Sequence, residues 1–274
     1  GFNSDHVLTR SVRDSAAALD QSAGPMPGSR YQIRPEVSSY LAALEEKLPK
    51  LRIGVSTSTP YGDAVGENQA ASVDKVSSLL ADMGHQVDEY TYPADLGLGS
   101  WMEDLWMVDV VYEIENRIKE VGREPLHEEL EALTHYVRER VASLSAMDLY
   151  RARQGAHEAS MRLINSMNDF DFVLTPTLAS DPIPVGYMDS RTENFNMETW
   201  GERGHAFAPF AYICNVSGQP AASVPVQLRE GEHPCAVQLA GHTGQDHLIL
   251  QVAAQLETEL RWDRYRPPIW AGDL

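Results

Sequence analysis

Apolar positions along this chain fall into two spacings, helical stripes and short continuous runs, and their order predicts an α/β protein. Val12, Ala16, Leu19 and Ala23 share one helical face behind Ser11-Val12-Arg13-Asp14, a capping-box pattern, and Gly24-Pro25 stops that helix. The stretch 26–39 is rich in Pro, Gly and Ser and reads as a surface loop, followed by a short amphipathic helix through Tyr40, Leu44 and Leu48. Leu51-Arg52-Ile53-Gly54-Val55 predicts a buried strand. The next helix carries Val73, Val76, Leu80 and Met83 on one stripe, with Gly84 at its C-terminal cap. Residues 86–92 then read as a second strand. Strand, helix and strand in this order form a βαβ unit, which implies parallel pairing.

Helical patterns dominate from Trp101 to Asn168, with breaks near 122–125 and Ser143. The last of these helices, Met147 to Met167, feeds a short strand, Asp171-Phe172-Val173-Leu174-Thr175, ended by Pro176. The Pro- and Asn-rich stretch 181–204 reads as a long loop. Runs at 221–228 and 235–240 predict a hairpin joined by 229–234. Thr243-Gly244-Gln245-Asp246 reads as a second capping box, opening a helix with Leu248, Ile249, Val252, Ala253 and Leu256. The aromatic, Pro-rich tail from Arg261 is expected to pack on a surface. The expected fold class is α/β, a mixed sheet flanked by helices.

Composition narrows the functions. Apolar residues make up 43% and charged residues 23%, an ordinary globular balance. No apolar run reaches the roughly 20 residues of a bilayer-spanning helix, and no signal-peptide pattern opens the chain, so no membrane partner is expected. The first residue is Gly rather than Met, as expected of a chain processed or cut ahead of it. A net charge of −18 repels phosphate backbones, so no nucleic acid partner is expected. The two cysteines, Cys214 and Cys235, fit neither a zinc spacing nor a disulfide framework, which points to a reducing, cytoplasmic setting.

Candidate chemistry is sparse. No Gly-x-Ser-x-Gly elbow occurs, and Ser217 reads as a turn serine. His233, His242 and His247 lie near Cys235 but lack the helical i, i+4 pairing of zinc hydrolases, so no metal is expected. Asp109, set among Val108, Val110 and Val111, must be hydrogen-bonded or functional if it is buried. The turn 56–62 lacks a phosphate-cradling pattern.

Longer motifs carry more. Asp5 to Ala16, with Leu19-Asp20 and Gly24-Pro25, then Phe172-Val173-Leu174-Thr175-Pro176-Thr177, and then Phe210 to Pro225 with Asn215, Ser217-Gly218-Gln219-Pro220-Ala221 and Val224-Pro225, resemble the amidase-signature family in order and spacing. Within that family the likeness runs toward hydrolases of linear amides and of a cyclic amide dimer. The resemblance implies a serine nucleophile, a second serine in a cis peptide and a lysine base, all expected upstream of Gly1. Lys47, Lys50, Lys75 and Lys119 read as solvated lysines, so catalytic residues are expected to be absent here. The chain would be the C-terminal part of an amidase, inactive alone and needing no cofactor. Residues 1–50 would lead from the absent core, 51–190 would hold the βαβ unit and helical pocket lining, and 191–274 would complete the sheet.

What the resemblance assigns to this chain is pocket wall. Trp101, Trp106, Met107, Asp109 and Tyr112 would line it, although core packing is the stronger account of each. Thr175 and Thr177 would face the binding edge at the carboxyl end of their strand, or simply cap it. Asn215 would hold loop geometry by the substrate. Expected partners are the N-terminal segment of the same enzyme, in the same or a companion chain, a small amide substrate, and a second copy in a possible homodimer. Two alternatives stay open: an amidotransferase A-type subunit, and a non-catalytic binding module of α/β fold.

Overall fold

The computed structural model describes residues 4–29, 33, 35–192, 195–226, 235–266 and 269–270. A 5-stranded mixed sheet organises them, in the order β2-β1-β3-β5-β4. Its strands are β1 (Arg52–Val55), β2 (Gln86–Glu89), β3 (Phe172–Pro176), β4 (Ala221–Val226) and β5 (Cys235–Gly241). Strand β1 pairs in parallel with both β2 and β3, and β5 is antiparallel to β3 and β4. The parallel part follows from the helical crossover α3 (Glu67–Asp82) between β1 and β2. The antiparallel part comes from the β4–β5 hairpin, whose connection at 227–234 lies outside the described residues.

Alternation along the strands buries two different faces. One face presents Ile53, Phe172, Leu174, Val224, Val226, Val237 and Leu239 to α1 (Val12–Ser22), α3 and α9 (Asp246–Leu260) as the main core. The other presents Val173 and Ala240 to α6 (Ala146–Ser166) and α8 (Ala211–Ser217). Beyond these layers, α4 (Trp101–Val121), α5 (Ala132–Ser143) and α7 (Met197–Phe207) share a satellite core around Met107, Val137 and Met197. Pro176 is accommodated inside β3 because β1 has already ended: its last partner is Leu174, and the next amide, of Thr177, bonds to Ala236 on the β5 side.

Several expectations are corrected. The helix through Tyr40, Leu44 and Leu48 is only α2 (Tyr40–Ala43): the backbone passes into a turn at 44–45, and Pro49 keeps Leu48 from resuming a helix. Residues 181–204 are not loop throughout: α7 starts at Met197, where the Asn196 side chain accepts a bond from the Thr199 amide at 2.8 Å. Its glycines, 201 and 204, and its single buried residue hid its periodicity. The capping box before α9 does not form. Gly244 takes a left-handed φ of 88°, which places Asp246 in the first helical position behind Gln245. The box expected at Ser11 is half made, with the Ser11 hydroxyl accepting from the Asp14 amide.

Candidate functional site at the carboxyl ends of the parallel strands

The loop after β1 is drawn tight by its own side chains. The Thr59 hydroxyl accepts bonds from the amides of Tyr61 and Asp63, and Gly62 turns with a φ of 90°. This turn presents Tyr61 outward. The loop after β3 is tied to the start of α3, where Asn68 and Gln69 donate to the Asp181 carboxylate and the Gly66 amide donates to Ala179. The chain then runs through α7 to Phe210, a fully buried anchor, and into α8, which Gly218 ends in left-handed conformation. Gln238 of β5 fastens α8 from below, donating to the Phe210 carbonyl at 3.3 Å.

These loops bring together Tyr61, His205 and Tyr212. The Tyr212 hydroxyl donates to that of Tyr61 at 2.7 Å. Their rings stack at 6.4 Å, and His205 lies 5.5 Å from Tyr61 and 5.6 Å from Tyr212. Burial raises the pKa of both phenols and lowers that of His205, which favours its neutral form. Glu103, in the first turn of α4, is raised by burial and then by neighbouring Asp104. Sequence reasoning missed this cluster. Its traces were the Thr59-Pro60-Tyr61-Gly62 turn after a strand and the position of Tyr212, one helical turn before Asn215.

The residues expected at a pocket wall occupy separate places. Trp106 and Met107 belong to the satellite core, Asp109 is half-buried, and Tyr112 is 58% exposed. Thr175 is buried and donates to the Pro176 carbonyl, whereas Thr177 pairs with Ser223 at 2.9 Å across β5. Asn215 is exposed on α8. The Ser217 hydroxyl bonds to the Ile213 carbonyl and Gln219, a helix-end arrangement with no base beside it among the described contacts. Lys47, Lys50, Lys75 and Lys119 are all exposed. His233 lies outside the described residues, and among those described no group of acidic, His or Cys side chains has the makings of a metal site. No described helix is long and apolar enough to cross a membrane.

A groove of about 800 Å³ runs beside β4, lined by Ser4 to Val12, by Gly218 to Val226 and by Ile249, Ala253 and Leu260 of α9. Among the described residues β4 pairs only with β5, so it forms an edge of the sheet. Its Ala221, Ser223 and Pro225 side chains are exposed while Val224 and Val226 are buried. Proline suits such an edge.

Comparison with known proteins agrees with this architecture. The chain is 31% identical to a 6-aminohexanoate-cyclic-dimer hydrolase of Pseudomonas sp. (strain NK87), over 98% of this chain and 56% of that protein. A protein of the same name from Paenarthrobacter ureafaciens is 30% identical over the same shares. A solved 6-aminohexanoate cyclic dimer hydrolase superposes with a TM-score of 0.86 at 28% identity, covering 94% of this chain and 55% of that one. A bacterial aryl acylamidase of the amidase-signature family shares the fold, with a TM-score of 0.74 at 21% identity and coverage of 94% and 55%. The chain thus spans a little over half the length of these relatives. The family model described as Amidase matches residues 1–250, and the chain belongs to that amidase-signature family.

Proposed function

We propose that this chain is the C-terminal part of an amidase that hydrolyses a carboxamide C–N bond, with the reactive residues supplied by polypeptide N-terminal to it. The open β4 edge with its adjoining groove carries this reading. A strand edge without a partner among the described residues, bordered by a partly apolar groove, is a liability unless something covers it. The share of the relatives' length left unmatched supports an occupant from the same enzyme, in the same or a companion chain. That segment would bring a serine nucleophile, a bridging serine in a cis peptide and a lysine base.

In the reaction, the lysine amine takes the nucleophile's proton through the bridging serine as the serine oxygen attacks the amide carbon. Backbone N–H groups of the added segment hold the oxyanion. The proton passes to the leaving nitrogen as the C–N bond breaks. Water then cleaves the acyl ester and restores the serine. This chain contributes wall: Thr177, Asn215, Asp109 and Tyr112 are open to a substrate, and Trp106 and Met107 back α4 from the satellite core. The relatives' names support linear or cyclic amides as substrates. Cys214 and Cys235 are both buried and neither is in a disulfide, which fits a cytoplasmic setting.

The test compares the 274-residue chain with a polypeptide extended upstream through its natural sequence, assayed for ammonia or amine release from aliphatic amides. Activity confined to the extended form is expected. A chain that stays compact and monomeric by light scattering, with no hydrolysis from either form, would instead favour a binding module.

A further inference from the structure

Tyr61, Tyr212 and His205 reach one point from three elements: the loop after β1, helix α8 and helix α7. The direction of the hydrogen bond between the phenols matters. Because Tyr212 donates to Tyr61, the proton of Tyr61 is left to aim elsewhere, and among the described residues no acceptor takes it. A hydroxyl that already accepts one bond is a stronger donor for the next. Tyr61 is 44% exposed, yet its ring is held by two ring contacts and its backbone by the Thr59 turn. A surface tyrosine fixed in this way gives up rotamer freedom in advance of any ligand.

The surroundings select the ligand's chemistry. Glu103 is the charged group that acts on Tyr61, and the neighbouring cation, Arg140, is engaged by Asp104 at 2.9 Å. His205 is held toward its neutral form. Among the described residues no cation acts on Tyr61, so an anionic ligand would find no positive partner beside it. Nor is this a cage for an ammonium group, because the rings pack against one another at 5.5–6.4 Å and leave no gap between their faces. What remains is one directed O–H for an uncharged acceptor.

We propose that Tyr61 is a substrate-binding residue, whose hydroxyl donates to a second, neutral carbonyl of the substrate away from the scissile bond, and that Tyr212 is its positioning residue. The proposal rests on the amidase reading above. It assigns the enzyme a preference for amides with a distal uncharged carbonyl, diamides above all, over simple mono-amides. A contact remote from the reacting atoms stabilises ground and transition states alike, so it shows in KM and leaves kcat unchanged.

The experiment uses the upstream-extended enzyme with hexanediamide and hexanamide, which differ at the distal end. Tyr61→Phe is expected to lower kcat/KM for hexanediamide roughly tenfold, through KM, and to leave hexanamide within about twofold. Tyr212→Phe, which keeps the acceptor but frees the Tyr61 hydroxyl, is expected to act in the same direction by roughly threefold. It carries the same test should the first variant fold poorly. Equal losses on both substrates would show a merely structural role and overturn the proposal, as would no loss on either. Should the unmutated extended enzyme hydrolyse neither amide, the amidase reading itself falls and takes this proposal with it.

Discussion

Gly155 offers a sharp test of how α4 is seated on α6, and therefore of how Glu103 is brought toward the Tyr61 cluster. A methyl group at Gly155 would lie 2.8 Å from Cδ1 and 2.9 Å from Nε1 of the Trp101 indole, where ordinary contact begins at 3.4 Å. The ring cannot simply swing aside, because its Nε1 donates to the Gly97 carbonyl at 2.8 Å. Replacing a mid-helix glycine by alanine would by itself gain about 1 kcal/mol. Overpacking costs about 1–3 kcal/mol, and losing the indole hydrogen bond costs about 0.5–1.5 kcal/mol more. The clash wins. Gly155→Ala should destabilise by about 1–3 kcal/mol, lowering the melting temperature by several degrees in a chain of this size. Urea unfolding of the upstream-extended protein measures it, with Trp101→Ala as a second background. In that background the same substitution should turn stabilising by about 1 kcal/mol, a coupling that only contact between the two residues produces. A stabilising Gly155→Ala in the parent, or equal costs in both backgrounds, would refute the reasoning.

Further outcomes follow from buried polar groups. Gln238→Leu strips the Phe210 carbonyl and Cys214 of a buried donor and should cost about 1–3 kcal/mol in urea unfolding; a neutral effect would show that β5 does not fasten α8. Because burial lowers the His205 pKa below 6.5, the unfolded chain binds that proton more readily. The His205 contribution should then be level above about pH 6.5 and be lost as pH falls toward the lowered folded value. In His205→Phe, the drop in urea midpoint between about pH 7 and 5.5 should shrink, and an unchanged drop would exclude His205 as its source. Burial pushes the Cys214 thiol up to about 12, and Cys235 is buried at the start of β5. Alkylation at about pH 8 should therefore leave both thiols unmodified in folded protein and modify both in urea, and rapid labelling of the folded form would contradict their burial.

Local chemistry was legible where it acts alone. The β1–α3–β2 unit, the breaks between α4, α5 and α6, and the feed of α6 into β3 could all be read from stripes, caps and glycines, since each signal lies within its own element. Helix α7 was not legible, because it buries only Met197 and carries glycines 201 and 204 in its body. The end of α2 also escaped a reading based on apolar spacing, for Tyr40, Leu44 and Leu48 keep that spacing after the backbone has left the helix. The Tyr61 cluster was hidden for a different reason. Its members lie as far as 151 positions apart, and only the crossover through β3 and the return through α7 bring the phenols within hydrogen-bond distance. Motif resemblance pointed to Asn215 but passed over Tyr212 one turn away. Open sheet edges are likewise tertiary facts: Ala221 to Val226 read as an ordinary hairpin strand, and only the strand order makes it a border.

The proposed amidase should carry its nucleophile outside these 274 residues. Treating the upstream-extended enzyme with a serine-reactive fluorophosphonate and mapping the modified peptide by mass spectrometry tests it directly. The label should land on a serine N-terminal to Gly1 and abolish hydrolysis in step with its incorporation. A stoichiometric label on Ser217, or on any other serine of this chain, with matching loss of activity would contradict the account.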